Sequence, residues 1–111
     1  MKEGDVVIIP MPQSDASVKN RPTLVLREMP PFGDMLVCGL STQLHQAAKE
    51  LDEIIATKDS DFSMSGLKAE SLVRLGFLAV VPRKNIIGSI GSIAADRRIR
   101  LLKKLSDYLV K

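Results

Sequence analysis

Short apolar runs, each fenced by Pro, Gly, Asp or Ser, dominate the first three quarters of the chain and restrict it to short strands joined by tight connections. Val6-Val7-Ile8-Ile9 is closed by Pro10-Met11-Pro12, and Thr23-Leu24-Val25-Leu26 is followed by Pro30-Pro31-Phe32-Gly33-Asp34. A third strand is expected over Met35 to Leu40 and a fourth over Leu51 to Ala56. Two more, Ser71 to Leu75 and Phe77 to Val81, flank Gly76, where a glycine inside a strand pattern marks a bulge or a sharp bend. Ile86-Ile87 then leads into Gly88-Ser89-Ile90-Gly91. Strands this short and this regularly spaced predict a small, strongly bent barrel.

The last stretch changes period. Ile99, Leu102, Leu105 and Leu109 recur at helical spacing, with Leu101 and Tyr108 broadening the stripe, so an amphipathic C-terminal helix is expected. Arg97, Arg98, Lys103, Lys104 and Lys111 fall on other positions and read as a solvated basic face. Ser92 offers a cap one turn before Ala94. Asp96 near the start and basic residues near the end suit the helix dipole. The fold class is mainly β with α, in a single domain over residues 1–111.

Composition narrows the function classes. A hydrophobic fraction of 45% and a charged fraction of 26% are those of an ordinary globular protein. No apolar run approaches the roughly 20 residues a membrane-spanning helix needs. Met1-Lys2-Glu3-Gly4-Asp5 lacks a signal-peptide pattern, so a cytoplasmic location is expected. The lone Cys38, between Val37 and Leu40, reads as a buried thiol; one Cys and one His cannot close a zinc site, and no metal or cofactor is expected. A net charge of +3 leans toward a polyanionic partner. With only Phe32, Phe62, Phe77 and Tyr108 as aromatics, an extensive base-stacking platform is not expected.

Arg21-Pro22 is the strongest single candidate for function. Proline fixes its own φ, lacks an amide donor and holds the preceding residue extended, which suits the first position of a strand. Arg21 is therefore expected at a strand mouth, presenting a planar charged fork suited to phosphate. The bland reading is an ion pair with Asp5 or Asp15 that anchors a loop. Two loops stand out as display sites, Met11 to Asn20 and Thr57 to Gly66.

Taken in order, these blocks resemble the MazF/PemK toxins of bacterial toxin-antitoxin systems, related to Kid and to the CcdB fold group. The resemblance rests on Lys2-Glu3-Gly4-Asp5-Val6-Val7, on Asn20-Arg21-Pro22-Thr23-Leu24-Val25-Leu26, and on Val37-Cys38-Gly39-Leu40-Ser41-Thr42-Gln43. It continues through Gly66-Leu67 with Ser71-Leu72-Val73-Arg74-Leu75, and through Ile90-Gly91-Ser92-Ile93 before the final helix. It implies an SH3-like barrel with a C-terminal helix, usually a homodimer, inhibited by a cognate antitoxin of the MazE/PemI type and binding DNA in complex with it. It implies a metal-independent endoribonuclease cutting single-stranded RNA at short sequences, often in mRNA.

Carried over residue by residue, the resemblance makes Arg21 the catalytic arginine, Ser41 the counterpart of a catalytic threonine, and Arg74 an arginine implicated in some members. Lys19, Asn20, Thr42 and Gln43 are substrate-binding candidates; turn chemistry explains Lys19 and Asn20 equally well, and the alternative for Ser41-Thr42 is a strand-end turn. Metal-free cleavage requires deprotonating the 2′-hydroxyl, stabilising the crowded phosphorus and protonating the 5′-oxygen. Gly76 stands where Kid-like members carry an acid, which leaves Asp15, Glu70 or His45 as candidates for proton transfer. It also motivates an alternative: a binding toxin without cleavage, acting on RNA, on an antitoxin or, in the CcdB manner, on gyrase.

Overall fold

The computed structural model describes residues 1–111. Six strands are formed: β1 (Asp5–Pro12), β2 (Val18–Met29), β3 (Asp34–Ser41), β4 (Glu53–Ile55), β5 (Ser71–Val81) and β6 (Gly88–Ser92), followed by one helix, α1 (Ala95–Leu109). Single 3-10 turns lie at Leu44–Gln46, Ser63–Ser65 and Arg83–Asn85. The strands make one antiparallel sheet in the order β4-β5-β3-β2-β1-β6, curled into a half-barrel with β4 and β6 at its edges. The mainly β expectation with a C-terminal helix therefore holds.

Both faces of the curled sheet are buried, which explains why its strands read as unbroken apolar runs. Val6, Leu24, Leu26 and Cys38 join one cluster, closed by Ile93 of the connection and by Leu101 and Leu105 of α1. Val7, Val25, Met35 and Val37, the alternating residues, join a second cluster with Ile86. Burial raises the Cys38 thiol to a pKa of about 12, with the Asp52 charge adding to the effect. It is an inert core residue.

Proline placement departs from the sequence expectation. Pro10 lies inside β1, which ends at Pro12, and Arg21-Pro22 lies inside β2 rather than at its mouth. Register supplies the reason. Ile8 faces Pro22 but turns its carbonyl away to accept the Ile87 amide at 2.9 Å, so nothing on β1 calls for an amide at Pro22. By the same parity, Pro10 and Pro12 point their missing donors past Ile8, where pairing with β6 has ended. Each proline thus faces an unpaired edge.

Gly76 behaves as expected of a bulge, but inside one continuous strand rather than between two. Cys38 pairs with Leu78 while Gly39 pairs with Arg74, which leaves Leu75, Gly76 and Phe77 without partners on β3. The strand expected over Leu51 to Ala56 contracts to Glu53–Ile55.

Helix α1 also departs in detail. Ser92 belongs to β6 and does not cap it; the Asp61 carboxylate accepts the Ala94 amide at 3.1 Å instead. The last turn carries no basic residue, and the buried face runs through Arg97, Leu101 and Leu105, leaving Ile99 and Leu109 exposed. Arg97, expected on the solvated face, is 6% exposed. Its guanidinium donates to both oxygens of Asp61 at 2.7 and 2.9 Å, to Asp59 at 2.8 Å and to Glu53 at 3.1 Å, joining α1 to β4 and to the connection after it. Glu53 in turn holds Arg100 at 2.7 Å and Lys104 at 3.2 Å.

Two glycines let backbone meet backbone. A Cβ at Gly66, which has a φ of 73°, would sit 2.1 Å from the Ile90 carbonyl oxygen, and one at Gly91 would sit 2.3 Å from that of Met64. The turn around Ser63–Ser65 is pressed directly onto β6.

The Arg97 cluster makes stability acid-sensitive. The guanidinium's hydrogen bonds hold Asp61 below the ordinary carboxylate range, and the Ala56 amide followed by Arg97 does the same for Asp59. Burial works to raise Glu53, but hydrogen bonds from Arg100 and Lys104 outweigh it and leave it lowered. Depressed folded-state values mean stability that is complete above the ordinary carboxylate values and is lost as pH falls through the lowered ones. Chemical denaturation between about pH 5 and pH 2 is expected to show that loss. Arg97→Ala is expected to cost about 3–5 kcal/mol at neutral pH, because it strands the buried Asp61 charge, and to flatten the acid-side decline. A decline as steep in the variant as in the parent would contradict the assignment.

Candidate functional site

The half-barrel opens where β3 ends. Pairing of β2 with β3 stops at Thr23 and Gly39, while β2 continues back to Val18 against β1 as a two-stranded ribbon. Between that ribbon, the end of β3 and the bulge of β5 lies a groove of about 560 Å³. Arg21, Ser41, Arg74, Thr42 and Gln43 all line it, together with Gln13 and Phe77. Lys19 and Asn20 do not line it and lie exposed on the ribbon. Five of the seven residues named from the sequence therefore line one groove, and two lie outside it.

Arg21 pairs with neither Asp5 nor Asp15. Its Nη2 donates to Gln13 Oε1 at 3.0 Å, while Gln13 Nε2 donates to the Met11 carbonyl at 3.0 Å and the Gln13 amide bonds Ser17 at 2.8 Å. A neutral amide thus fixes the guanidinium without cancelling its charge. Asp5 accepts the Lys2 amide, and Asp15 is turned toward Ser17, whose hydroxyl and then amide lower its pKa.

Arg74 projects from β5 beside the bulge and makes no ion pair; its Cζ lies 6.0 Å from the centre of the Phe77 ring. Ser41 Oγ accepts the Gln43 amide at 3.0 Å and donates to no protein acceptor, so its proton is available to a ligand.

Charge is distributed unevenly among the seven arginines of the chain. Arg27 and Arg98 pair with Glu3, Arg83 with Glu28, Arg97 with Glu53, Asp59 and Asp61, and Arg100 with Glu53. Arg21 and Arg74 alone lack a carboxylate partner, and both line the groove. No carboxylate or imidazole joins them there. Glu70 is engaged by the Thr57 amide at 2.9 Å, and His45 sits exposed on the Leu44–Gln46 turn outside the groove. None of the three proton-transfer candidates reaches the site. Two guanidiniums and several hydroxyls without an acid describe a place for a multiply charged anion.

Fold and site together define a class of small β proteins: a curled antiparallel sheet closed by a C-terminal helix, with a cationic groove where its strands diverge. Residues 2–109 match the model of the PemK-like, MazF-like toxin of type II toxin-antitoxin systems, and the chain belongs to that family of toxins. The solved structure of Mycobacterium tuberculosis toxin MazF-mt6 has the same fold, with a TM-score of 0.64 over 95% of each chain at 22% identity. A comparison with curated protein sequences gives no match.

Asp52, unremarked in the sequence, supports the groove from behind. Its Oδ1 accepts the Leu75 amide that the bulge frees from the ladder, and its Oδ2 accepts the Ala48 amide, both at 3.0 Å. Asp52→Ala is expected to destabilise the fold by about 1–3 kcal/mol and to accelerate hydrogen exchange at Leu75 and Ala48. Unchanged exchange at Leu75 would show that the bulge holds itself.

Proposed function

We propose that this toxin is a metal-independent endoribonuclease that binds single-stranded RNA across the groove and cleaves it at short sequences. It works in the cytoplasm as a homodimer and is restrained by a cognate antitoxin. The observation that carries this reading is the allocation of charge: the two arginines left without carboxylate partners line one groove. Arg21, braced by Gln13, and Arg74 take the oxygens of one phosphodiester, and the Ser41 hydroxyl donates to the same group. Thr42 and Gln43 contact the flanking nucleotide; Lys19 and Asn20 lie on the ribbon where a longer RNA strand would pass.

In the reaction the 2′-oxygen forms a bond to phosphorus and the bond from phosphorus to the 5′-oxygen breaks, giving a 2′,3′-cyclic phosphate and a 5′-hydroxyl. The guanidiniums stabilise the charge that accumulates on the phosphoryl oxygens. With no acid or base lining the groove, the proton leaving the 2′-hydroxyl and the one reaching the 5′-oxygen exchange with water. The cleavage rate is accordingly expected to rise with pH between about 5 and 8 without an inflection from a carboxylate or imidazole. A bell-shaped profile in that range would assign the proton transfers to a side chain instead.

Incubation of the protein with long RNA in EDTA, followed by mapping of new 5′ ends, tests the activity directly. Arg21→Ala is expected to lower kcat by about 10²–10³-fold. Replacing Arg21 and Arg74 together by Ala is expected to reduce the salt slope of RNA binding by about 0.7, the share of the one phosphate they contact. Equal cutting by parent and Arg21→Ala would sink the proposal.

The same absence of an acid or base favours a second reading, a toxin that binds without cutting. RNA retained but intact, or capture of gyrase without RNA decay, would select it.

A further inference from the structure

The groove contains one ring. Phe77 is 40% exposed in a lining otherwise made largely of polar side chains, so part of the ring is open to the groove. The fold makes room for it. Because Cys38 pairs with Leu78 and Gly39 with Arg74, Phe77 lies in the bulge rather than in the regular pleat. The absence of a side chain at Gly39 lets the ring sit on the β3 backbone; a Cβ there would lie 3.1 Å from Phe77 Cδ1 and 3.4 Å from Cγ. Asp52 holds the start of the same bulge through the Leu75 amide. One wall of the groove thus presents a seated, part-exposed ring with a guanidinium that has no carboxylate partner over it, Arg74 Cζ standing 6.0 Å from the ring centre.

Resting on the RNA reading above, we propose that Phe77 is a specificity residue: a stacking platform for the nucleobase adjoining the phosphate held by Arg74. A phosphate fixed at Arg74 brings its neighbouring base to the ring, and every base has a π-face to lay on it. The preference such a platform imposes follows stacking strength, and it favours purines at that position over pyrimidines.

The chain contains no tryptophan, so Phe77→Trp places a single reporter in the groove. The probe is a single-stranded oligoribonucleotide made uncleavable by 2′-O-methyl groups, together with versions carrying an abasic unit at each position in turn. For the parent, one abasic position is expected to weaken binding by about 5–150-fold. Phe77→Leu, which keeps an apolar side chain but lacks the π-face, is expected to lose a similar factor on the intact oligonucleotide and nothing further at that abasic position. Phe77→Trp is expected to retain binding, with emission quenched by the intact oligonucleotide and not by the matching abasic one.

Binding by Phe77→Leu that equals the parent's on every oligonucleotide overturns the assignment, as does a loss that is uniform across all abasic positions. If Phe77→Leu leaves RNA binding intact but weakens the antitoxin, the ring serves a protein partner and the assignment also fails. A parent protein that binds none of the oligonucleotides removes the RNA reading itself. A parent that binds them without any Phe77 dependence removes only this inference.

Discussion

Strand β3 is the only hydrogen-bonded link between the β6-β1-β2 side of the sheet and the β5-β4 side. It therefore sets both the integrity of the half-barrel and the place where it opens. At Gly39 the strand still pairs with β2 and β5; by Ser41 its partner on β2 is gone. The ribbon of β1 and β2 then continues on its own, and the space it leaves is the groove. The site arises from a difference in strand length, with the bulge in β5 taking up the mismatch on the other side.

Electrostatic allocation separates the arginines tied up within the fold from the two left open in the groove. The carboxylates Glu3, Glu28, Glu53, Asp59 and Asp61 are assigned to arginines that tie the helix, the hairpin end and the connections together. The most buried of these groups, Arg97 with Asp61, is fully hydrogen-bonded, as a charge in a dry environment must be. The groove arginines are treated in the opposite way. Gln13 orients Arg21 but leaves its field intact, so the groove keeps its charge while the other arginines are neutralised by carboxylates.

Much of this was readable from the residues because it rests on local rules. Apolar runs between Pro and Gly gave the strands, the period change gave the helix, and Gly76 gave the bulge. Arg21, Ser41 and Arg74 stand out as candidates because the order of motifs resembles that of a known family. What escaped the sequence depends on register. Pro22 was expected at a strand start because its neighbours on β1 and β3 are unknowable from a single segment. Helical periodicity places Arg97 in solvent, because it counts apolar residues and cannot anticipate carboxylates from residues 53 to 61 folding over a basic one. Gln13 and Phe77 carried no signal, since an amide in a polar loop and a ring in an apolar run are both ordinary until the groove brings them together.

The contact between the Ser63–Ser65 turn and β6 has a genetic consequence. A substitution in a side-chain core can often be rescued elsewhere, because a neighbour can be trimmed to make room. At Gly66 and Gly91 the opposing atoms are carbonyl groups that every residue type carries, so there is nothing to trim. Selection for suppressors of a change at either position should return revertants to glycine rather than compensating partners.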